Sequence, residues 1–238
     1  MNTILFVHGE KGGVGKSLYA ATVADYILEK TGSVIVVEGD KTICDVANRF
    51  REVEGTTVIQ SNLSRPETSE EAIIKLLEYL DGLNTQGDRH IVVNTPASVS
   101  TTLDTQSSLI LPVVREMGYE IMVSWLMAGG MSEELLMRSS LCAGAARKIA
   151  VVNTHYVDAE SWLKSKSHEE WMEDGGLDGQ LPKMTASAVS VMQTHSTKPL
   201  SVLAGVDGGQ SIVMRQSIKN WLSTAHAGAV APLYEDLM

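Results

Sequence analysis

A glycine-rich run with two lysines follows the first apolar stretch of the chain. The apolar stretch covers residues 4–7, and the run reads EKGGVGKS over residues 10–17, ahead of an alanine-rich helical pattern. Glycines let a backbone approach phosphates and turn its N–H groups inward, and the N-terminus of the next helix adds a partial positive charge. This order of strand, loop and helix predicts a site for the phosphates of a nucleotide.

The individual residues of this loop have separate predicted tasks. Lys16 places a positive charge on the β- and γ-phosphates, and Ser17 supplies a hydroxyl for Mg²⁺ and a cap for the helix. Glu10 stands where the strict G-x-x-x-x-G-K-[ST] pattern has its first glycine, so the match to that pattern is incomplete. The residues expected to hold the nucleotide are Gly12, Gly13, Val14, Gly15, Lys16, Ser17 and Leu18.

The second lysine of the run, Lys11, stands five residues before Lys16. With this lysine, the string KGGVGKS resembles the deviant Walker A motif of the ParA/MinD superfamily, which are dimeric P-loop ATPases of the SIMIBI class. The resemblance implies an ATP-dependent homodimer with ATP or ADP and Mg²⁺ as ligands. It also implies that Lys11 reaches the phosphates of the partner's nucleotide, as an arginine finger does, and such fingers are worth roughly 10³ to 10⁵ in rate.

Two acidic residues follow the second predicted strand, which covers residues 34–37. In the family, an aspartate at this place orients the attacking water, which implies that role and a place near Mg²⁺ for Asp40. A turn aspartate that satisfies backbone N–H groups is the alternative. Glu38 matches a position that is often acidic in the family and is expected in the water shell of Mg²⁺, and Asp45 is a second choice for the role of Asp40.

The strand pattern at residues 91–93 ends in Asn94, Thr95 and Pro96, which resembles a family motif that ends in Asp-Thr-Pro. Asn94 departs from the motif, because its amide oxygen accepts from a water on Mg²⁺ but brings no formal charge. We therefore expect weaker Mg²⁺ dependence or slower turnover, and no loss of ATP binding. Thr95 and Pro96 either end the strand in a simple turn or begin a segment that senses the γ-phosphate.

These assignments give a predicted catalytic set and a predicted metal set. The catalytic residues are Lys11, Lys16 and Asp40, and the Mg²⁺ residues are Ser17, Asp40 and Asn94.

Asn153 ends another apolar strand pattern, over residues 149–152. The resemblance implies that its side-chain amide reads the nucleobase. Adenine is the expected base, since guanine-specific relatives continue the motif as Asn-Lys-x-Asp and this chain lacks that aspartate. An asparagine that only caps a loop is the alternative. Leu181 and Pro182 are similar to a later strand whose following backbone lies beside the adenine.

Short apolar runs alternate with helical patterns along the chain. This predicts an α/β fold, with a mostly parallel sheet and helices on both faces, and the P-loop NTPase architecture of ParA and MinD is what the resemblance implies. One helix is expected over residues 132–145 and another over residues 211–225. A further helix is predicted to start at a capping box formed by Thr68 and Glu71.

The length of 238 residues suits one domain, which we take as residues 1–238. The least regular part is about residues 158–179, which contain Trp162 and Trp171. We interpret this part as an insertion or a partner-facing segment, since it is too short to have a core of its own.

The formal net charge of −10 bears on the partners that this chain could bind. Nonspecific DNA binding leaves a basic footprint, so direct DNA binding is not favoured, and no basic amphipathic membrane helix is visible. No apolar run approaches the roughly 20 residues of a membrane span, and no secretory signal is apparent. Two cysteines about a hundred residues apart and six histidines without metal-ligand spacing suggest neither disulfides nor a protein-built metal site. A cytoplasmic protein is expected.

Within the superfamily, three features are similar to the TraL/MobD-type proteins of conjugative and mobilisable plasmids. They are Gly129 and Gly130, the string VVNTHY over residues 151–156, and the segment with the tryptophans. This resemblance implies a role in plasmid DNA transfer or maintenance, exerted through protein partners.

Three alternatives remain open. The first is a partition ATPase that binds DNA directly, and the second is an ATP-gated scaffold with little hydrolysis. The third is a metabolic ligase or synthetase, such as the dethiobiotin synthetase and cobyrinate amidase relatives, which phosphorylate a carboxylate. Lys11 argues against this third class, because those relatives lack a lysine at that place.

Overall fold

The computed structural model describes residues 1–9, 11–40, 44–64, 66–83, 89–129, 131–235 and 237. Glu10 and Gly130, which belong to the predicted motifs, lie outside these residues. The strands are β1 (Asn2–His8), β2 (Val34–Glu38), β3 (Thr56–Gln60), β4 (His90–Asn94), β5 (Tyr119–Met127), β6 (Arg147–Asn153) and β7 (Leu177–Leu181).

Helices connect these strands and follow the last one. They are α1 (Lys16–Thr31), α2 (Asp45–Phe50), α3 (Pro66–Asp81), α4 (Ser100–Thr105), α5 (Ser107–Glu116), α6 (Ser132–Arg138), α7 (Ser140–Gly144), α8 (Ala159–Leu163), α9 (Lys166–Glu173), α10 (Ala186–Thr194), α11 (Leu200–Ala204), α12 (Ile212–Ala225) and α13 (Ala231–Tyr234). Two 3-10 turns, Ala97–Val99 and Val206–Gly208, and a π-helical segment, His226–Val230, complete the described elements.

In the described ranges, the strands form a seven-stranded sheet in the order β3-β2-β4-β1-β5-β6-β7, and all pairings are parallel. β1 is the central strand. The carboxyl ends of the strands therefore meet at one edge of the sheet, where Glu38 of β2 pairs with Asn94 of β4 and Val7 of β1 pairs with the same Asn94. An open parallel sheet binds ligands at this edge.

Two apolar cores lie on the two faces of the sheet, because successive side chains of a strand point to opposite faces. Leu5 of β1 belongs to the core that includes residues of α1, α2 and α10 to α13, whereas Ile4 belongs to the core that includes residues of α3 to α9. Both side chains are fully buried. The predicted α/β fold, with helices on both faces of the sheet, is confirmed.

The prediction of one continuous helix over residues 132–145 is wrong. Residues 132–145 form two helices, α6 and α7, because Ser139 adopts an extended conformation with ψ of 114°. The Oγ of Ser139 accepts a hydrogen bond from the N–H of Cys142 at 3.3 Å and donates one to Asp104 Oδ1 at 2.8 Å. Serine favours a cap over a helix interior since its side chain satisfies the free N–H groups of a new helix.

The capping box predicted for Thr68 and Glu71 is also wrong. α3 already begins at Pro66, which needs no hydrogen-bond partner for its nitrogen at the first helical position, so Thr68 lies inside the first turn. Glu71 instead forms an exposed ion pair with Lys75, one helical turn further on, at 2.6 Å.

The segment over residues 158–179 is regular, contrary to the prediction. It forms α8, α9 and the start of β7, and both tryptophans are at least 98% buried. Trp162 Nε1 donates to Asp178 Oδ1 at 2.8 Å and Trp171 Nε1 donates to the carbonyl of Leu177 at 2.9 Å. The tryptophans thus belong to the core, and a partner-facing role for the outer surface of this segment stays a prediction.

Of the helices in the described ranges, none combines the length and the hydropathy that crossing a lipid bilayer requires.

Candidate functional site

The phosphate-binding loop predicted at residues 10–17 connects β1 to α1 at the carboxyl edge of the sheet. Gly13 and Gly15 adopt left-handed conformations with φ of 75° and 99°. Gly15 precedes the first residue of α1, and no side chain caps this helix end within the described residues. The N–H groups of the first turn are therefore available to an anion, whose charge the helix dipole favours.

The predicted cap by Ser17 is wrong, since Ser17 is the second residue of α1. Its hydroxyl oxygen instead accepts a hydrogen bond from Asn94 Nδ2 at 3.3 Å. Ser17 lines the cavity beside the loop, and its predicted contact with Mg²⁺ stays a prediction.

Lys16 holds the loop in its folded shape. Its ammonium donates to the carbonyl oxygens of Gly9 and Lys11, each at 2.9 Å, and its side chain is largely buried. These two hydrogen bonds hold the positive charge of Lys16 against the backbone of the loop. Lys11 is exposed, and its predicted action on another subunit stays a prediction.

Glu38 is fully buried at the end of β2. Its Oε1 accepts from Asn94 Nδ2 at 2.7 Å, and its Oε2 accepts from the N–H groups of Val46 and Ala47 at 3.1 and 3.3 Å. Burial raises the pKa of Glu38, and the hydrogen bonds it accepts from Asn94 and the backbone oppose that shift. Glu38 therefore joins the start of α2 to β4, and its predicted place in a Mg²⁺ water shell stays a prediction.

Asn94 is 2% exposed, and its Oδ1 has no hydrogen-bond partner among the described residues. It lines a cavity of about 350 Å³ together with Ser17, Asp40 and Asp45. Burying an unpartnered oxygen is costly unless a ligand or water satisfies it. An amide oxygen, a hydroxyl and carboxylates are the hard oxygen donors that Mg²⁺ prefers, so the residues present fit this ion.

Asp40 lies in this cavity, where the prediction requires it. Its Oδ1 accepts a hydrogen bond from Ser64 Oγ at 3.2 Å. The other residues that line the cavity come from the phosphate loop, the start of α1 and the segment after β4. They are Gly12, Gly13, Gly15, Lys16, Leu18, Thr95, Pro96 and Ala97.

A buried histidine joins the phosphate-loop strand to the segment after β4. The Oγ1 of Thr95 donates to the carbonyl of Val7 at 2.8 Å, so it accepts from His8 Nδ1 at 3.0 Å. Burial, and secondarily the charge of Lys16, lowers the pKa of His8 from 6.5 to about 3. The ring packs edge-on against Trp125 with centroids 4.9 Å apart. Sequence reasoning missed this neutral histidine, whose one signal was its position at a strand end.

Asn153 packs against the phosphate loop from the other side. Its Nδ2 donates to the carbonyl of Val14 at 2.8 Å, and its Oδ1 accepts from the N–H of His155 at 3.0 Å. A Cβ at Gly15 would lie 2.6 Å from the same Nδ2. The side chain therefore positions the loop, and its predicted reading of the nucleobase stays a prediction.

Comparisons with known proteins bear on the fold of the chain. No family model matches the chain. The curated protein MobD of Acidithiobacillus ferrooxidans is 25% identical over 186 residues, which are 76% of this chain and 78% of that protein.

Two solved structures share the architecture. A ParA family ATPase from Chlorobium tepidum TLS has a TM-score of 0.54 at 15% identity and covers 93% of this chain and 98% of its own. The MinC:MinD cell division protein complex of Aquifex aeolicus has a TM-score of 0.50 at 12% identity and covers 95% and 97%. The chain has the P-loop fold of ParA and MinD ATPases, which confirms the fold that the resemblance of KGGVGKS implied.

Proposed function

We propose that this chain is a Mg²⁺-dependent ATPase that works as a dimeric switch of the ParA/MinD type. The observation that carries the proposal is the buried ammonium of Lys16 inside a glycine loop, next to an uncapped helix N-terminus. Both supply positive potential at one place, which is the requirement for binding a nucleoside triphosphate.

Each residue of the site has a role in this proposal. The N–H groups of the loop and Lys16 bind the β- and γ-phosphates, and Asp40 orients the attacking water. Ser17, Asp40 and the free oxygen of Asn94 hold Mg²⁺, directly or through water. When bound, this ion would neutralise charge on the phosphate oxygens. Lys11 donates to the phosphates of the partner's nucleotide.

The sheet edge that bears the phosphate loop also exposes apolar side chains. Met131, after β5, is 66% exposed, and Tyr156, after β6, is 55% exposed. Large apolar residues exposed at the same edge of the sheet as the exposed Lys11 support an interface with a second copy at this edge. ATP at the interface would then connect nucleotide state to dimerisation.

The resemblance to MobD supports a role in plasmid DNA transfer or maintenance. The net charge of −10 favours action through a protein partner in the cytoplasm over direct binding of DNA. A partition ATPase that binds DNA directly is the alternative, and an ATP-dependent, salt-sensitive shift of duplex DNA would favour it.

A second candidate function is an ATP-gated scaffold with little hydrolysis. Asn94 favours it, because this residue offers Mg²⁺ an oxygen without a negative charge. Both candidates bind ATP and differ in turnover.

The test measures ATP turnover and oligomeric state together, with Mg²⁺, on the wild type, Lys11→Ala and Lys219→Ala. Lys219 is an exposed lysine on α12 and serves as the matched control. We expect ATP to drive dimerisation of the wild type and of the control. Lys11→Ala should still bind ATP but lose turnover by at least about a hundredfold.

Tight ATP binding by a dimer without turnover would favour the scaffold. A protein that binds ATP as an unchanging monomer would overturn the dimeric switch.

A further inference from the structure

A groove with apolar walls lies between α3 and α5, on the face of the sheet opposite α1. Its volume is about 420 Å³, and its apolar residues are Ile74 and Leu77 of α3, Leu109 and Val113 of α5, and Met117 directly after α5. Ile74 is 39% exposed and Leu109 is 37% exposed. We call this feature the α3–α5 groove.

Carboxylates occupy one end of the groove. They are Glu78 and Asp81 in the last turn of α3 and Glu116 in the last turn of α5. The carbonyl end of a helix favours cations, and α3 has no basic residue in its last turn, so acidic residues there oppose the helix dipole. Arg115, in the last turn of α5, donates to the carbonyl of Gly144 at 2.6 Å and does not line the groove. The three carboxylates therefore make this end of the groove negative beside an apolar surface.

We propose that the α3–α5 groove is a docking surface for a short, basic, amphipathic helix of a partner protein. Apolar residues at i, i+3 or i+4 and i+7 of such a helix would fill the apolar part, and lysine or arginine at one end would meet the carboxylates. The carboxylates would repel DNA and an anionic membrane.

The groove is connected to the nucleotide cavity. α5 follows the segment that begins at Thr95 and continues through α4. α3 is tied to the same segment, since Ser69 Oγ and Thr102 Oγ1 form a hydrogen bond of 3.0 Å. A shift of the segment after Thr95 would therefore change the spacing of both walls. This nucleotide dependence rests on the proposed function, whereas the docking surface itself does not.

The experiment uses the full chain and a fluorescein-labelled peptide of leucine and lysine, about 14 residues or four helical turns long, with leucine on one face. A peptide with glutamate in place of lysine is the charge control. Anisotropy is measured without nucleotide at about 0.15 M salt. We expect a dissociation constant on the order of ten micromolar for the lysine peptide, because the surface is small.

Three paired variants locate the binding. Ile74→Ser with Leu109→Ser removes apolar surface, and Glu78→Gln with Glu116→Gln removes charge. Glu52→Gln with Glu54→Gln removes the same charge from exposed positions outside the groove. The first two pairs should weaken binding by about tenfold and the control pair by less than about twofold.

Equal loss in the control pair, or binding of the glutamate peptide, would overturn the proposal. So would no binding of the lysine peptide at all.

A separate titration with a fluorescent ATP analogue keeps the two proposals distinguishable. Peptide binding without ATP binding would overturn the proposed function and retain the groove, and ATP binding without peptide binding would do the reverse. If both bind, ATPγS and ADP should give peptide affinities that differ by at least about fivefold. Equal affinities would overturn the connection to the nucleotide.

Discussion

Two asparagines end two strands at the same edge of the sheet, yet their side chains have different surroundings. Asn94 ends β4 and Asn153 ends β6, and both are at least 95% buried. Asn153 uses its oxygen and its nitrogen on backbone groups of this chain. Asn94 uses its nitrogen on Glu38 and Ser17, and its oxygen has no partner among the described residues.

The difference separates a residue that positions the loop from one that is available to a ligand. A satisfied amide stabilises the conformation of its neighbours, whereas a buried unsatisfied oxygen favours whatever supplies the missing donor or cation. Mg²⁺ should therefore stabilise the half of the sheet that contains β4. The half that contains β6 should act on the loop alone.

The largest effect is expected from Asn94→Asp, which introduces the aspartate that the ParA/MinD motif Asp-Thr-Pro has at this position. It would place a second carboxylate against Glu38, whose Oε1 now lies 2.7 Å from Asn94 Nδ2. Without metal, this buried pair of like charges should lower the free energy of unfolding by about 4 kcal/mol. Urea unfolding with and without Mg²⁺ measures it, and Mg²⁺ should restore part of the loss.

The double variant Glu38→Gln with Asn94→Asp is the control, since it keeps one carboxylate and one amide. It should recover most of the stability. An Asn94→Asp protein as stable as the wild type without Mg²⁺ would contradict the close Glu38–Asn94 contact.

The next effect concerns the loop on the Asn153 side. Gly15→Ala combines φ of 99° with a Cβ that would lie 2.6 Å from Asn153 Nδ2. It should cost about 3 kcal/mol in unfolding free energy and abolish ATP binding, as measured by urea unfolding and calorimetric titration. Gly12→Ala is the matched control for stability, because a Cβ there meets no described atom within 4 Å.

Adding Asn153→Ala to Gly15→Ala should restore part of the stability but leave the backbone strain. No recovery in the double variant would show that Asn153 does not contact the loop.

His8, which contacts Thr95 directly after Asn94, is expected to change the free energy of unfolding by about 2 kcal/mol with pH. Its folded pKa of about 3 is below the unfolded value of 6.5, so its contribution to stability is present above pH 6.5 and is lost as the pH falls towards 3. From pH 7 to pH 5, the wild type should lose about 2 kcal/mol more than His8→Gln, as measured by urea unfolding.

Asp25 acts in the opposite direction, because burial raises its pKa from 3.8 to about 6 and favours its neutral form. The contribution of Asp25 to the free energy of unfolding declines as the pH rises from about 4 to 6. The wild type and His8→Gln both have this contribution, so it cancels when the two are compared. Equal pH dependence in the wild type and His8→Gln would mean that the pKa of His8 is the same in the folded and the unfolded protein.

The smallest effect, about 1 kcal/mol, is expected from Asn153→Ala, which removes two hydrogen bonds to the backbone. If Asn153 only positions the loop, the affinities for ATP and GTP fall by equal factors. If it also reads adenine, the preference for ATP over GTP falls with it. Paired titrations of both nucleotides decide between these roles.

The sequence was sufficient for the fold and for the residues that meet at the cavity beside the loop. Parallel buried strands have nearly continuous apolar runs, and strand ends in such a sheet meet at one edge, so Asp40, Asn94 and the loop could be placed together. KGGVGKS identified the loop because its glycines have a specific backbone task.

The partners of individual side chains were beyond the sequence. Glu38 binds the start of α2, Asn153 binds Val14, and Trp162 is in the core. These contacts join residues far apart in the chain and depend on packing that no local pattern specifies. Ser139 is the local exception, since a serine inside a helical pattern is a recognisable cap.

The central place of β1 in the sheet has a further consequence for hydrogen exchange. Three strands flank β1 on each side in the described sheet, so the amides of Ile4 to Val7 exchange only when the whole sheet opens, whereas the edge strands β3 and β7 open locally. A ligand bound to the phosphate loop would raise the free energy of unfolding, and the exchange rate in β1 would fall by the factor that corresponds to the full increase. The exchange rate of this one strand would serve as an internal gauge of nucleotide occupancy.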